Sequence, residues 1–125
     1  MNINKQIEYW KNGAKSDIET AEILIDKGKY FHGLFFCHLR IEKILKANYL
    51  SQNKSIAPKT HDLIYLSEHS NIKLEDNDLQ LIAILMKYQL EGRYPDYSPS
   101  IPPKEQLNGY LNKTKDLLEW LIQKL

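Results

Sequence analysis

Apolar residues recur at steps of three and four along most of this 125-residue chain, and that spacing confines it to packed helices. Ile7, Trp10, Ala14, Ile18, Ala21 and Ile25 mark one face of a helix predicted over residues 4–27, which Gly28 ends. After a very short turn, residues 30–52 make a second helix whose Phe31, Leu34, Phe35, Cys37, His38, Ile41, Ile44, Leu45 and Leu50 cover much of its circumference. A helix this apolar belongs at the centre of a fold, or is covered again by a subunit interface. Leu107, Leu111, Thr114, Leu118, Leu121 and Leu125 then follow the heptad rhythm of helices that cross at a shallow angle.

Between these runs the punctuation is clear. Residues 51–60 form a polar loop containing Pro58. Thr60 is placed to cap a short helix starting at His61, with Asp62 in its positive first turn and Leu63, Leu66 and Ile64 as anchors. Residues 71–75 break the pattern. Asp76 is then expected to cap a helix over residues 77–91, with Leu79, Ile82, Ala83, Met86 and Leu90 on one side. Residues 92–102 form a second loop, after which Pro103 suits the first position of the last helix and Glu105 its first turn. No stretch reads as a strand, an internal repeat or a low-complexity tract. The expected fold is all-α, an antiparallel up-and-down four-helix bundle with an additional short helix, and one domain spans residues 1–125.

Bulk properties exclude several classes. A chain of this length buries about two thirds of the surface it exposes unfolded, so it needs no disulfide staples. Its single cysteine, Cys37, permits no internal disulfide and fits a reducing cytoplasm as a small buried hydrophobe. No run approaches the length of a membrane span, and the first residues lack an apolar signal core. A cytoplasmic protein without membrane attachment is expected. Net charge is +1, which argues against nucleic-acid binding driven by bulk charge. Its distribution is uneven. Residues 40–61 hold Arg40, Lys43, Lys46, Lys54 and Lys59 against Glu42 alone, whereas residues 62–91 hold six acids against Lys73 and Lys87. A local basic patch of this kind can steer an anionic partner.

Four groups of residues carry chemistry, each with a plainer reading beside it. In Arg93-Tyr94-Pro95-Asp96, proline forbids a helix and crowds an arginine, a tyrosine and an aspartate into one turn, with Tyr88 and Tyr97 nearby. Aromatics beside an arginine hold bases and phosphates, and equally make a turn in which Arg93 simply pairs with Asp96. Glu42 and Lys46, four apart with the acid first, read as a solvated helical ion pair, or as part of a face where Arg40, Lys43 and Lys46 meet phosphate. His38 and Glu42 share a face as a base and its orienting carboxylate would, although His38 reads more simply as a hydrogen-bonded core histidine. Thr60-His61-Asp62 reads as a helix start, and His61 beside Lys59 also suits anion binding. The histidine spacings match no strong zinc pattern, and neither a Gly-rich phosphate loop nor a nucleophile elbow is present, so no metal or cofactor is expected.

Taken in order, these elements resemble the HEPN family, the small helical domains named for higher eukaryotes and prokaryotes nucleotide-binding. The resemblance is carried by Tyr9-Trp10, Ala14, Asp17 and Ala21, then Gly28 and Tyr30, Glu42-Lys43, Leu45-Lys46-Ala47, Thr60-His61-Asp62-Leu63 and Arg93-Tyr94-Pro95-Asp96. It implies a bundle of four main helices and a short one, usually dimerised around the central helices. It also implies a minimal nucleotidyltransferase as partner, in pairs that look like toxin–antitoxin modules. Many members are metal-independent ribonucleases that follow an arginine by a histidine after four to six residues. Here Arg93 holds the arginine position, but Ser98, Pro99 and Ser100 stand where the histidine falls, and no histidine follows His69. The resemblance therefore implies binding of a nucleotide or RNA phosphate with no catalytic base carried over. Arg93 contacts phosphate in this reading, and Lys43 and Lys46 give electrostatic support. Tyr94 stacks or packs the turn, Asp96 lies beside it, and His61 is a further anion contact. A divergent ribonuclease and a purely structural docking module are the alternatives.

Overall fold

The computed structural model describes residues 2–89 and 100–125, and its helices follow the expected order. They are α1 (Ile3–Asp26), α2 (Tyr30–Asn53), α3 (Leu63–His69), α4 (Asp76–Met86) and α5 (Lys104–Gln123), and no strand occurs among the described residues. Arg93, Tyr94 and Asp96 lie outside the described residues. No described helix is long and apolar enough to cross a membrane.

Local chemistry sets the helix ends. The Asn2 side chain accepts from Lys5 N–H and so caps α1. At the other end Gly28 takes φ +79°, the left-handed geometry that glycine adopts without penalty. Its N–H donates to the Ile25 carbonyl at 3.1 Å, and Lys29 N–H donates to Leu24 at 2.7 Å. These paired bonds satisfy carbonyls that the helix end would otherwise orphan, and they turn the chain tightly into α2. Asn71, at φ +57°, ends α3 in the same way, with its own N–H on Glu68 and Ile72 N–H on Ser67.

The two long helices approach closely where Gly33 faces α1. A β-carbon there would fall 2.5 Å from Ile25 Cγ1 and 3.4 Å from the Ala21 carbonyl. Gly33→Ala would gain up to about 1 kcal/mol of helix propensity. Overpacking against fully buried Ile25 costs about 1–3 kcal/mol. The clash wins, and a net loss of about 1 kcal/mol is expected in denaturant unfolding.

α2 is the central element and packs against α1, α3, α4 and α5. Its Leu34, Ile41, Ile44 and Leu45 are wholly buried, as the all-round apolar pattern required. Cys37 is also wholly buried, and burial pushes its thiol up to about 11 despite a hydrogen bond with Thr114. On α5 the heptad stripe is buried from Leu107 to Leu121, while Leu125 is partly exposed.

Three details differ from expectation. α3 begins at Leu63, and its cap is Asp62, whose Oδ1 accepts from Ile64 and Tyr65 N–H at 3.1 Å each. Thr60 Oγ1 instead accepts from Asp62 N–H, and the His61 carbonyl is held by a side chain of α2, which keeps His61 outside the helix. α4 includes Asp76 as its first residue and ends at Met86. Its buried face is Leu81, Ile82 and Leu85, while Ala83 is exposed. With apolar residues at seven of its last eight positions, spacing alone could not choose a side. Pro103 occupies the cap position of α5, one residue before the first helical position.

Candidate functional site

Glu42 is the centre of a polar cluster with Lys46, His61 and His38. It lies on α2 and is 4% exposed. Its Oε2 accepts from Lys46 Nζ at 3.1 Å, one helical turn on, and its Oε1 accepts from His61 Nδ1 at 2.8 Å. Because a carboxylate only accepts, this contact places a proton on His61 Nδ1 and directs any further chemistry of the ring to Nε2. Behind it, His38 is 1% exposed. Its Nε2–H donates to the His61 backbone carbonyl at 3.2 Å, and its Nδ1 lies 3.9 Å from Glu42 Oε1. His38 is thus the hydrogen-bonded core histidine of the plainer reading. The same contacts hold the segment before α3 against α2, leaving the His61 side chain 41% exposed at the surface.

The Glu42–Lys46 pair is buried, not solvated. Lys46 is 8% exposed, and its ammonium lies 5.3 Å from the centroid of the Trp10 ring on α1. A cation so placed is attracted to the ring face. Helical spacing had already put Glu42 and Lys46 together, but burial depends on what covers them, and α1 supplies that cover.

The three cations of α2 do not share a phosphate-facing surface. Positions three apart drift about 60° around a helix, so Arg40, Lys43 and Lys46 diverge. Arg40 turns inward and is 2% exposed. Lys43 Nζ lies 2.7 Å from Asp17 Oδ2 across the α1–α2 interface. The basic excess of residues 40–61 is therefore partly neutralised in space by Asp17, an acid from outside that window. Lys46 and His61 meet on one carboxylate, while Lys43 is held separately.

Beside this cluster, Tyr9, Trp10, Asn12, Gly13 and Lys43 line a cleft of about 370 Å³. Tyr9 is 68% exposed, and its ring meets Trp10 edge-on at 5.3 Å between centroids. Trp10 thus touches both the cleft and, through Lys46, the Glu42 cluster. Sequence reasoning placed Trp10 in the core stripe and among the residues carrying the family resemblance, gave it no part in a site, and singled out neither Asn12 nor Gly13. No group of His, Cys, Asp and Glu side chains among the described residues is arranged to hold a metal ion.

The family model described as HEPN domain matches residues 7–125. The crystal structure of TT1696 from Thermus thermophilus is similar with a TM-score of 0.80 at 21% identity, covering 100% of both chains. ST0689, an archaeal HEPN homologue, is similar with a TM-score of 0.70 at 24% identity, covering 94% of this chain and 96% of that one. At these identities the likeness speaks to the fold. Comparison with curated proteins gave no match.

Proposed function

This chain belongs to the HEPN family, and from that premise we propose that it binds a nucleotide or an RNA phosphate where α1, α2 and the segment before α3 meet. The observation that supports this is the convergence of Lys46 and His61 on one buried carboxylate, beside Trp10 and an open cleft. His61 is the most exposed member of that cluster, so in this reading it makes first contact with the anion. Arg93, with its sequence neighbours Tyr94 and Asp96, is a further phosphate contact in this reading, while the Lys43 ammonium is already paired with Asp17 and adds little field.

The test is titration with ATP, AMP and a short RNA at two salt concentrations, with wild type beside His61→Ala and Arg93→Ala. Saturable binding that weakens with salt and falls about tenfold in either variant is expected. Absence of binding to the wild-type protein would reject the reading.

A second reading, metal-independent RNA cleavage, is favoured by the Glu42–His61 contact, since a carboxylate that fixes Nδ1–H orients Nε2 for proton transfer. The same RNA incubated with a chelator decides it, because an intact substrate removes this reading and leaves binding. The proposal also includes a minimal nucleotidyltransferase as partner in a toxin–antitoxin-like pair, and a homodimer. Phe35 and Leu39, half-buried on α2 and outside the core cluster, support self-association.

A further inference from the structure

We propose that the cleft lined by Tyr9, Trp10, Asn12, Gly13 and Lys43 receives the base of a nucleoside phosphate whose anionic end lies toward Lys46 and His61. This rests on the phosphate-binding reading above and adds the half of the ligand which that reading leaves undefined.

Size comes first. At about 370 Å³ the cleft falls at the lower end of the range for small-molecule sites, roughly 300–1,000 Å³. Its walls then limit the ligand class. Tyr9 and Trp10 offer ring surface, and a flat π-system stacks on such surface whatever its sequence identity. Asn12 brings one amide, with both a donor and an acceptor, which is what the edge of a heterocycle pairs with. Lys43 contributes mainly its stem, because its ammonium is committed to Asp17 at 2.7 Å. A bare anion in this cleft would have to compete with that carboxylate.

Gly13 lets the Lys43 stem lie close against α1. A β-carbon on Gly13 would come within 3.1 Å of Lys43 Cδ and 3.5 Å of its Nζ. Glycine leaves that space to the lysine stem and to whatever lies beside it.

The charged half of the site also meets Trp10. Lys46 Nζ lies 5.3 Å from the indole centroid and is tied through Glu42 to His61. Trp10 therefore borders both the ring-lined cleft and the Lys46–Glu42–His61 cluster. A nucleoside phosphate has the same two halves, a flat polar heterocycle and an anion, joined by a sugar. A mononucleotide and the end of an RNA share this chemistry.

The chain has two tryptophans, so Trp120→Phe leaves Trp10 as the sole indole reporter. That variant is titrated with AMP, a short RNA, ribose 5-phosphate and inorganic phosphate, following Trp10 fluorescence with calorimetry alongside. AMP, the RNA or both are expected to quench Trp10 saturably, with ribose 5-phosphate binding at least about tenfold more weakly than the tighter of the two. Which of them quenches more tightly identifies the source of the base. Tyr9→Ala, at an exposed position, is expected to weaken that ligand about tenfold and to leave ribose 5-phosphate unchanged. Equal affinity for AMP, RNA and ribose 5-phosphate, or calorimetric binding without any change at Trp10, would overturn the base cleft while sparing the phosphate site. No binding of any of the four would overturn both.

Discussion

Arg40→Met is expected to stabilise the fold by about 1–3 kcal/mol, read as a higher denaturant midpoint with an unchanged slope. Arg40 is 2% exposed, and its Nε and Nη1 are buried without a hydrogen-bond partner among the described residues. Each such donor forfeits its hydration for nothing. Burial pulls the guanidinium down to about 10, against the opposing pull of Cys37, Asp17, Glu119 and Glu22. A depression of that size corresponds to about 3 kcal/mol held against folding at neutral pH. The sign follows from linkage. Between pH about 10 and the free arginine's own value the unfolded chain binds the extra proton, so stability rises with pH there, and the full penalty applies below it. Substitution is the cleaner measurement. Methionine keeps an unbranched stem and adapts to an irregular space. Asp17 is not orphaned by the change, because Lys43 stays 2.7 Å away. A lower midpoint would mean that Arg40 supports Asp17 by more than its own burial costs.

Arg40 also shows where sequence reasoning stops. The helices were legible because their causes are local, and periodicity with Gly28, Asn71 and Pro103 as punctuation places four of them within two residues and the start of α4 within one, though α4 ends five residues early. The central position of α2 was legible for the same reason, since apolar residues on nearly every side leave no solvent face. α4 was harder, because a segment apolar all round offers several equivalent faces and only its neighbours select one. The site was legible in its members but not in its arrangement. Lys46 and His61 were singled out separately, and Glu42 was assigned to two partners before a third, 19 residues away, proved to be the tightest of them. Lys43 looked like a free cation because its partner, Asp17, is 26 positions earlier in the chain. Trp10 sat in the expected stripe, and nothing in its spacing announced that its ring would border both a cleft and an ammonium group. Local patterns determine which side chains face inward, whereas pairing across helices depends on contacts between segments that no single window contains.

Glu42→Leu is expected to cost about 3–5 kcal/mol, the largest loss of any single change considered, measured as a fall in denaturant midpoint. The loss is unequal between its two partners. His61 is 41% exposed and can turn its Nδ1–H toward water, so its share is small. Lys46 is 8% exposed, and without the carboxylate its ammonium keeps only the face of Trp10. One cation–π contact is worth about 1–2 kcal/mol and does not replace a buried ion pair. Adding Lys46→Leu should therefore recover most of the deficit, a coupling of about 3 kcal/mol or more in a double-mutant cycle. Purely additive losses would show that the released lysine reaches water and that Glu42 does not hold a buried charge for the sake of stability. The doubly apolar protein is informative in either case. If it matches the wild type in stability yet no longer binds a nucleotide, the polar cluster serves the ligand, since two leucines serve the fold as well.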